Sequence, residues 1–194
     1  MTDNLVRIFI AVEVPEGEVK NRIIGSMRAV SESGADLKPV EPQNIHITLR
    51  FLGEVTTAKL ESIKLELNKI TFNSFDVSLQ GVGVFPDYKH INVIWVAVDE
   101  GNIGLVDLYE RINNVLRGVG IPSDIRGLSP HITVARMRSG RNKENLSKTI
   151  SGLKDIEFGT FHVHSFHLKK STLTSTGPIY QSLLEVQAVK GPTY

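Results

Sequence analysis

The 194-residue chain has no cysteine, which rules out disulfides and thiolate metal sites and leaves only histidines and carboxylates to hold any ion. It has almost no excess of charge of either sign. A net +1 at pH 7 gives no whole-molecule field to draw the protein onto nucleic acid. No apolar run approaches the roughly 20 residues that span a bilayer, so no membrane is expected. Residues 1–15 show neither a basic leader nor a cleavage site, and a cytoplasmic protein is expected. A glycine-rich phosphate loop is also missing, because Gly81-Val82-Gly83 lacks a third glycine and a following helix. There is no low-complexity tract and no Pro/Gly/Ser-rich linker, so residues 1–194 read as a single domain. With 41% hydrophobic and 22% charged residues, the composition is that of a folded globular chain.

The small net charge is unevenly spread. Arg111, Arg117, Arg126, Arg136, Arg138, Arg141, Lys143 and Lys148 face only Asp124 and Glu144 within residues 111–148. This segment is either a solvated basic face or a phosphate-facing surface. Periodicity predicts strands at 6–14, 46–53, 75–85, 91–98, 129–134, 156–168 and 180–189. Helical spacing appears at 19–30, 60–70, 105–119 and 146–153, with Thr56 or Thr57 able to cap the second helix. Residues 75–98 form a hairpin turning at 86–89. Loops are expected at 34–43, 86–90 and 173–178, over a shared face.

The chain then repeats itself. Asn44-Ile45-His46-Ile47-Thr48-Leu49 is echoed by Ser129-Pro130-His131-Ile132-Thr133-Val134, each in a β-patterned run. Six histidines and twelve threonines predict about 0.4 chance His-x-Thr triplets, so two in matching context are informative. The duplication predicts an α+β fold of two lobes about a pseudo-two-fold axis. On a strand, a histidine and the threonine two residues on project to one face. Opposed lobes would thus bring two imidazoles and two hydroxyls to a common cavity. In-line displacement at phosphorus needs a proton acceptor and a proton donor on opposite sides, and imidazole serves both roles near neutrality. Thr48 and Thr133 can donate to phosphate oxygens, and Arg136 adds a fixed charge. Phe51 takes the place of Arg136 in the first copy, either meeting a base or filling the core.

These motifs, with Arg7-Ile8-Phe9-Ile10-Ala11-Val12 at the start, the run from Pro42 to Glu54, Pro130-His131-Ile132-Thr133-Val134-Ala135-Arg136, and Gly177-Pro178-Ile179-Tyr180 near the end, resemble the 2H phosphoesterases. Within them the chain is most similar to the RNA 2′,3′-cyclic phosphodiesterases once described as 2′-5′ RNA ligases. The resemblance implies two lobes of antiparallel sheet with helices outside, a cleft between them, no cofactor and no metal. It implies hydrolysis of a 2′,3′-cyclic phosphate on RNA ends or nucleotides to a 2′-phosphate, with reversible 2′-5′ ligation as an associated activity. His46 would be the proton donor, His131 the proton acceptor, and Thr48, Thr133 and Arg136 the phosphate-binding groups. No obligate protein partner is implied. Other readings are a non-catalytic RNA-end binding module, or an enzyme acting on another cyclic phosphate such as ADP-ribose 1′′,2′′-cyclic phosphate.

His162, His164 and His167 invite a metal reading, but strand alternation puts His167 on the other face and no spaced carboxylate completes the set. A solvent-facing strand edge is expected there. Trp95, inside an apolar run, is expected in the core. Tyr88 and Tyr180, beside turns, are the better candidates to contact a base, and His90 is expected on the surface.

Overall fold

The computed structural model describes residues 4–99, 103–125, 127–175 and 177–189; Arg126 of the basic segment lies outside them. The first strand, β1 (Leu5–Glu13), precedes helix α1 (Glu18–Glu32) and a short strand β2 (Leu37–Pro39). A single 3₁₀ turn, Pro42–Asn44, then leads into β3 (His46–Thr56), followed by α2 (Thr57–Leu67) and the long hairpin β4 (Phe75–Asp87) and β5 (His90–Val98). Helix α3 (Ile103–Gly118), β6 (His131–Met137), α4 (Lys143–Gly152), β7 (Glu157–Val163), β8 (Ser165–Leu173) and β9 (Pro178–Gln187) complete the order. The α+β expectation holds. The strands form two antiparallel sheets, ordered β3-β1-β8-β9 and β2-β6-β5-β4-β7.

Both sheets use the same plan. The strand bearing His-x-Thr pairs with an earlier strand across a helix: β3 with β1 across α1, and β6 with β5 across α3. Beyond these stand β8 beside β1, and β4, the other arm of the hairpin, beside β5. Helices α2 and α3 pack on each other and against β3, while α1 and α4 pack on each other and against strands of the second sheet. Each sheet therefore takes one helix from each repeat. Apolar stripes dictate this: Ile23 and Val30 of α1, Ile63 and Leu67 of α2, Leu105, Leu108 and Ile112 of α3, and Leu146 and Ile150 of α4 are all fully buried. Each such side chain contributes about 1.5–3 kcal/mol by leaving water. Thr56 caps α2, accepting from the Lys59 amide at 3.2 Å.

Two expectations are corrected. Residues 156–168 are two strands rather than one: β7 ends at Val163 and β8 begins at Ser165, the chain leaving the second sheet for the first at His164. The first sheet pairs β8 with β1 and β9, while β7 stays on β4. The expected loop at 34–43 contains β2, an edge strand paired to β6 in the register Leu37↔Met137, Lys38↔Arg136 and Pro39↔Ala135. Pro39 is tolerated because an edge strand leaves one side of its backbone unpaired.

Gly83 shows how tightly the second sheet is packed beneath the site. It lies opposite Trp95 in the β4/β5 register, and the indole crosses its α-carbon so closely that an added Cβ would sit 2.5 Å from the ring. The indole cannot swing away, because it stacks on Phe85 at 4.8 Å. Gly83→Ala should cost about 1–3 kcal/mol as an overpacked site and change the emission of the single tryptophan. Urea unfolding followed by that emission checks both, and an unaltered midpoint and spectrum would show that the ring has room.

Candidate active site

His46 opens β3 and His131 opens β6, so each imidazole stands at the first residue of its strand, in a different sheet. Both rings are oriented by the same backbone device. The Nδ1–H of His46 donates to the Asn44 carbonyl at 2.6 Å, and that of His131 to the Ser129 carbonyl at 2.8 Å. In the neutral ring each bond fixes the tautomer whose unprotonated nitrogen is Nε2. The Thr48 hydroxyl donates to Nε2 of His46 at 3.1 Å. Aromatic rings back both imidazoles: Phe9 and Tyr180 lie 5.2 and 5.5 Å from His46, and Phe85 lies 5.1 Å from His131. Trp95 sits behind Phe85, 6.3 Å from His131, half-buried as part of this support.

Both histidines, Thr48, Thr133, Arg136, Phe51 and Tyr180 line one cleft of about 410 Å³. Simple alternation does not explain how Arg136 and Phe51 reach it, since each lies five residues after its histidine and an odd offset points to the opposite face. A β-bulge resolves this in each repeat. Thr48 pairs with Ala11 and Arg50 with Ile10, leaving Leu49 as the extra residue, just as Thr133 pairs with Trp95 and Ala135 with Ile94, leaving Val134. The extra residue reverses the phase, so that Phe51 and Arg136 rejoin the cleft face. The bulges stand at equivalent positions, three residues after each histidine.

The segments 34–43 and 173–178 supply part of the lining, as their place over a shared face suggests, but two of its cations were not among the expected site residues. Arg7 and Lys38 join Arg136 in the cleft. Arg7 had a readable signal, since it alternates with Phe9 on β1. Lys38 had none, because a three-residue edge strand within 34–43 shows no periodicity that would direct its side chain. Lys38 and Arg136 lie directly opposite on β2 and β6, a like-charge pairing that disfavours the fold and suits an anion between them. Of the described basic residues in 111–148, only Arg136 lines the cleft. Arg111 pairs with Asp107 at 2.7 Å on α3, and Lys143 donates to the Lys89 carbonyl. The segment is thus not, as a whole, a phosphate-facing surface.

Tyr88 does not belong to the cleft lining. It occupies the two-residue turn between β4 and β5, 46% exposed, where Asp87 accepts from the Lys89 and His90 amides. His90 is exposed, as expected. His162 is exposed and bonds Asp76 at 2.8 Å, whereas His167 is tucked against Ser182 at 3.1 Å in the other sheet. Among the described residues no group of three or more histidines and carboxylates is arranged to hold a metal ion. Nor is any helix long and apolar enough to cross a membrane.

The electrostatics around His46 are distinctive. Burial against Phe9 and Tyr180 lowers its pKa from 6.5 to about 4, with the Lys169 charge assisting and the Asn44 hydrogen bond and Glu13 opposing. Behind it, Glu13 and buried Lys169 form an ion pair. Burial acts to raise the Glu13 pKa, but the Lys169 bond and charge outweigh it and hold the carboxyl low. The unfolded chain therefore binds a proton at His46 more readily than the folded one. This contribution to stability is complete above pH 6.5 and is lost as pH falls toward 4, by about 3 kcal/mol in all. His46→Gln should make the drop in unfolding free energy between pH 7 and 4.5 about 2–3 kcal/mol smaller than in the parent. Equal drops in urea titrations of the two proteins would show that His46 is not desolvated.

A profile of the LigT-like phosphoesterases matches the chain twice, over residues 14–95 and 96–180. An RNA 2′,3′-cyclic phosphodiesterase of Aeropyrum pernix is 37% identical over 160 residues, covering 82% of this chain and 91% of the relative. The protein of the same description from Methanocaldococcus jannaschii is 36% identical over 180 residues, covering 93% and 99%. Among solved structures, TT0787 of Thermus thermophilus superposes with a TM-score of 0.77 at 27% identity, covering 93% of this chain and 97% of that one. E. coli LigT, crystallised with 3′-AMP, shares the fold with a TM-score of 0.77 at 24% identity, covering 96% and 100%. Two profile matches, near full-length relatives and a shared fold place the chain in the LigT-like phosphoesterase family, the 2H phosphoesterases.

Proposed function

We propose that the protein hydrolyses the terminal 2′,3′-cyclic phosphate of RNA to a 2′-phosphate, without a metal ion, in a cytoplasmic setting and as a single two-lobed domain. The observation that carries this reading is the pair of imidazoles on equivalent strands of two sheets. Each is held through Nδ1 by the carbonyl two residues upstream and lines the same cleft. The substrate class follows the names of the relatives from A. pernix and M. jannaschii.

In this mechanism Nε2 of His131 takes a proton from water as the water oxygen bonds to phosphorus. The bond from phosphorus to the 3′ oxygen breaks with its electron pair, and that oxygen receives the proton of His46 Nε2. Arg136, Thr48 and Thr133 hold the non-bridging oxygens. A donor must first be protonated, and burial lowers the pKa of His46 to about 4, well below neutral pH. The cyclic phosphate supplies what is missing: a negative charge beside a desolvated ring favours its charged form. Substrate binding and His46 protonation are thereby coupled. With a 5′ hydroxyl in place of water as the attacking group, the same steps would break the bond to the 3′ oxygen and join the ends through a 2′-5′ linkage, and that exchange is reversible.

The test is incubation with a nucleoside 2′,3′-cyclic phosphate in EDTA, with separation of the 2′- and 3′-phosphate products. The 2′-phosphate is expected. Exclusive 3′-phosphate would reassign the leaving oxygen, and loss of turnover in EDTA would require a metal. Binding without turnover would make the protein an RNA-end binding module, and faster turnover of ADP-ribose 1′′,2′′-cyclic phosphate would change the substrate.

A further inference from the structure

The cleft holds more positive charge than one cyclic phosphate needs. Arg7, Lys38 and Arg136 all line it, and among the described residues Glu41 is the only carboxylate in the lining. None of the three cations has a carboxylate within ion-pair distance among the described residues. Three positive charges less one leave a net of two before either histidine is counted, whereas a cyclic phosphodiester carries a single negative charge. Convergent cations left without partners cost folding energy by mutual repulsion, so their retention calls for a second anion.

Position separates the charges into two groups. Arg136 shares its strand with His131 and Thr133, and Lys38 is opposite Arg136, so both serve the phosphate at the histidines. Arg7 comes from the other sheet. It stands on β1 opposite Glu54, two residues before Phe9, and its charge reaches Tyr180 from that side as Arg136 does from the second sheet. Its guanidinium rests over the Phe51 ring, 4.8 Å from the centroid, and Phe51 is 43% exposed. A cation held flat on an exposed aromatic ring at the rim of an anion site combines the two elements that bind single strands, a stacking surface and a backbone charge.

The geometry points to a second subsite, in which Arg7 takes the phosphodiester that links the terminal nucleotide to the preceding one and Phe51 stacks a base. Arg7 is then the residue that prefers a chain end over a mononucleotide. This rests on the proposed reaction and refines its substrate. The experiment compares kcat/KM for a nucleoside 2′,3′-cyclic phosphate with that for a dinucleotide ending in the same cyclic phosphate, in the parent and in Arg7→Gln. A charge-assisted bond implies that the dinucleotide-to-mononucleotide ratio falls about 10- to 100-fold in the variant. A second arm replaces the linking phosphate by a neutral methylphosphonate, with 2′-O-methyl on the 5′ nucleotide of both dinucleotides. The replacement should cost the parent a similar factor and cost Arg7→Gln little more, since both changes remove one interaction. A ratio unaffected by Arg7→Gln, or a methylphosphonate penalty equal in both proteins, overturns the subsite while leaving the hydrolysis intact. Absence of turnover of either substrate by the parent removes the reaction, and the subsite with it.

Discussion

Alanine at His46 or His131 is expected to lower kcat/KM on a nucleoside 2′,3′-cyclic phosphate by about 10²- to 10⁴-fold each, the usual contribution of a positioned acid or base. Each ring is set in place by one backbone carbonyl and by aromatic contacts. The double variant should be less impaired than the product of the two single losses, since groups acting in one step are not additive. Folding should survive in both. Each ring lines the cleft rather than the core, so circular dichroism and urea midpoints distinguish lost chemistry from lost structure. Residual activity within tenfold of the parent in either folded variant would end the acid and base assignment.

The second large effect is expected at Asp124. Arg50, 7% exposed on β3, reaches the Asp124 carboxylate at 2.6 Å and donates to the Pro122 carbonyl at 2.6 Å. Its Nε is buried without a partner. Removing the carboxylate leaves a desolvated guanidinium, a change that typically costs 3–5 kcal/mol. Asp124→Ala should therefore lose about that much in urea unfolding. Activity should fall with it, because Pro122 and Asp124 belong to the segment entering β6, which carries His131, while Arg50 belongs to the strand of His46. The ion pair thus fastens one half of the site to the other. The joint replacement Arg50→Met with Asp124→Leu should recover much of the stability, as apolar substitutes for buried pairs often do. A single-variant loss under about 1 kcal/mol would mean that water reaches the guanidinium.

The sequence made the chemistry more legible than the connectivity. Repeated His-x-Thr in β-patterned runs announced two strands, two rings and their threonines, because side-chain direction over two residues is fixed by the pleat. Arg136 was identified by its type and proximity, but its access to the cleft depends on an extra residue at Val134 that has no chemical signature in a run of apolar residues. The backbone carbonyls of Asn44 and Ser129 were invisible for the same reason: any residue offers one. Arg50 and Asp124, 74 positions apart in sequence, gave no local sign of pairing. The division of residues 156–168 has no clear local mark, because apolar parity shifts once within β7, between Phe158 and Phe161, and again between Val163 and Phe166, where the chain changes sheet. Fold class depends on periodicity and survived these misses, whereas partner choice between sheets is decided by tertiary packing.

The exchange of strands and helices between the two repeats has a consequence for any attempt to divide the chain. A cut within residues 100–102 would leave an amino-terminal fragment with β1 and β3 but not β8, and a carboxy-terminal fragment with β6 but not β5. Neither piece would own a finished layer. Expressed separately, each fragment should be unfolded and inactive, and on mixing the two should regain structure and turnover together as a 1:1 heterodimer.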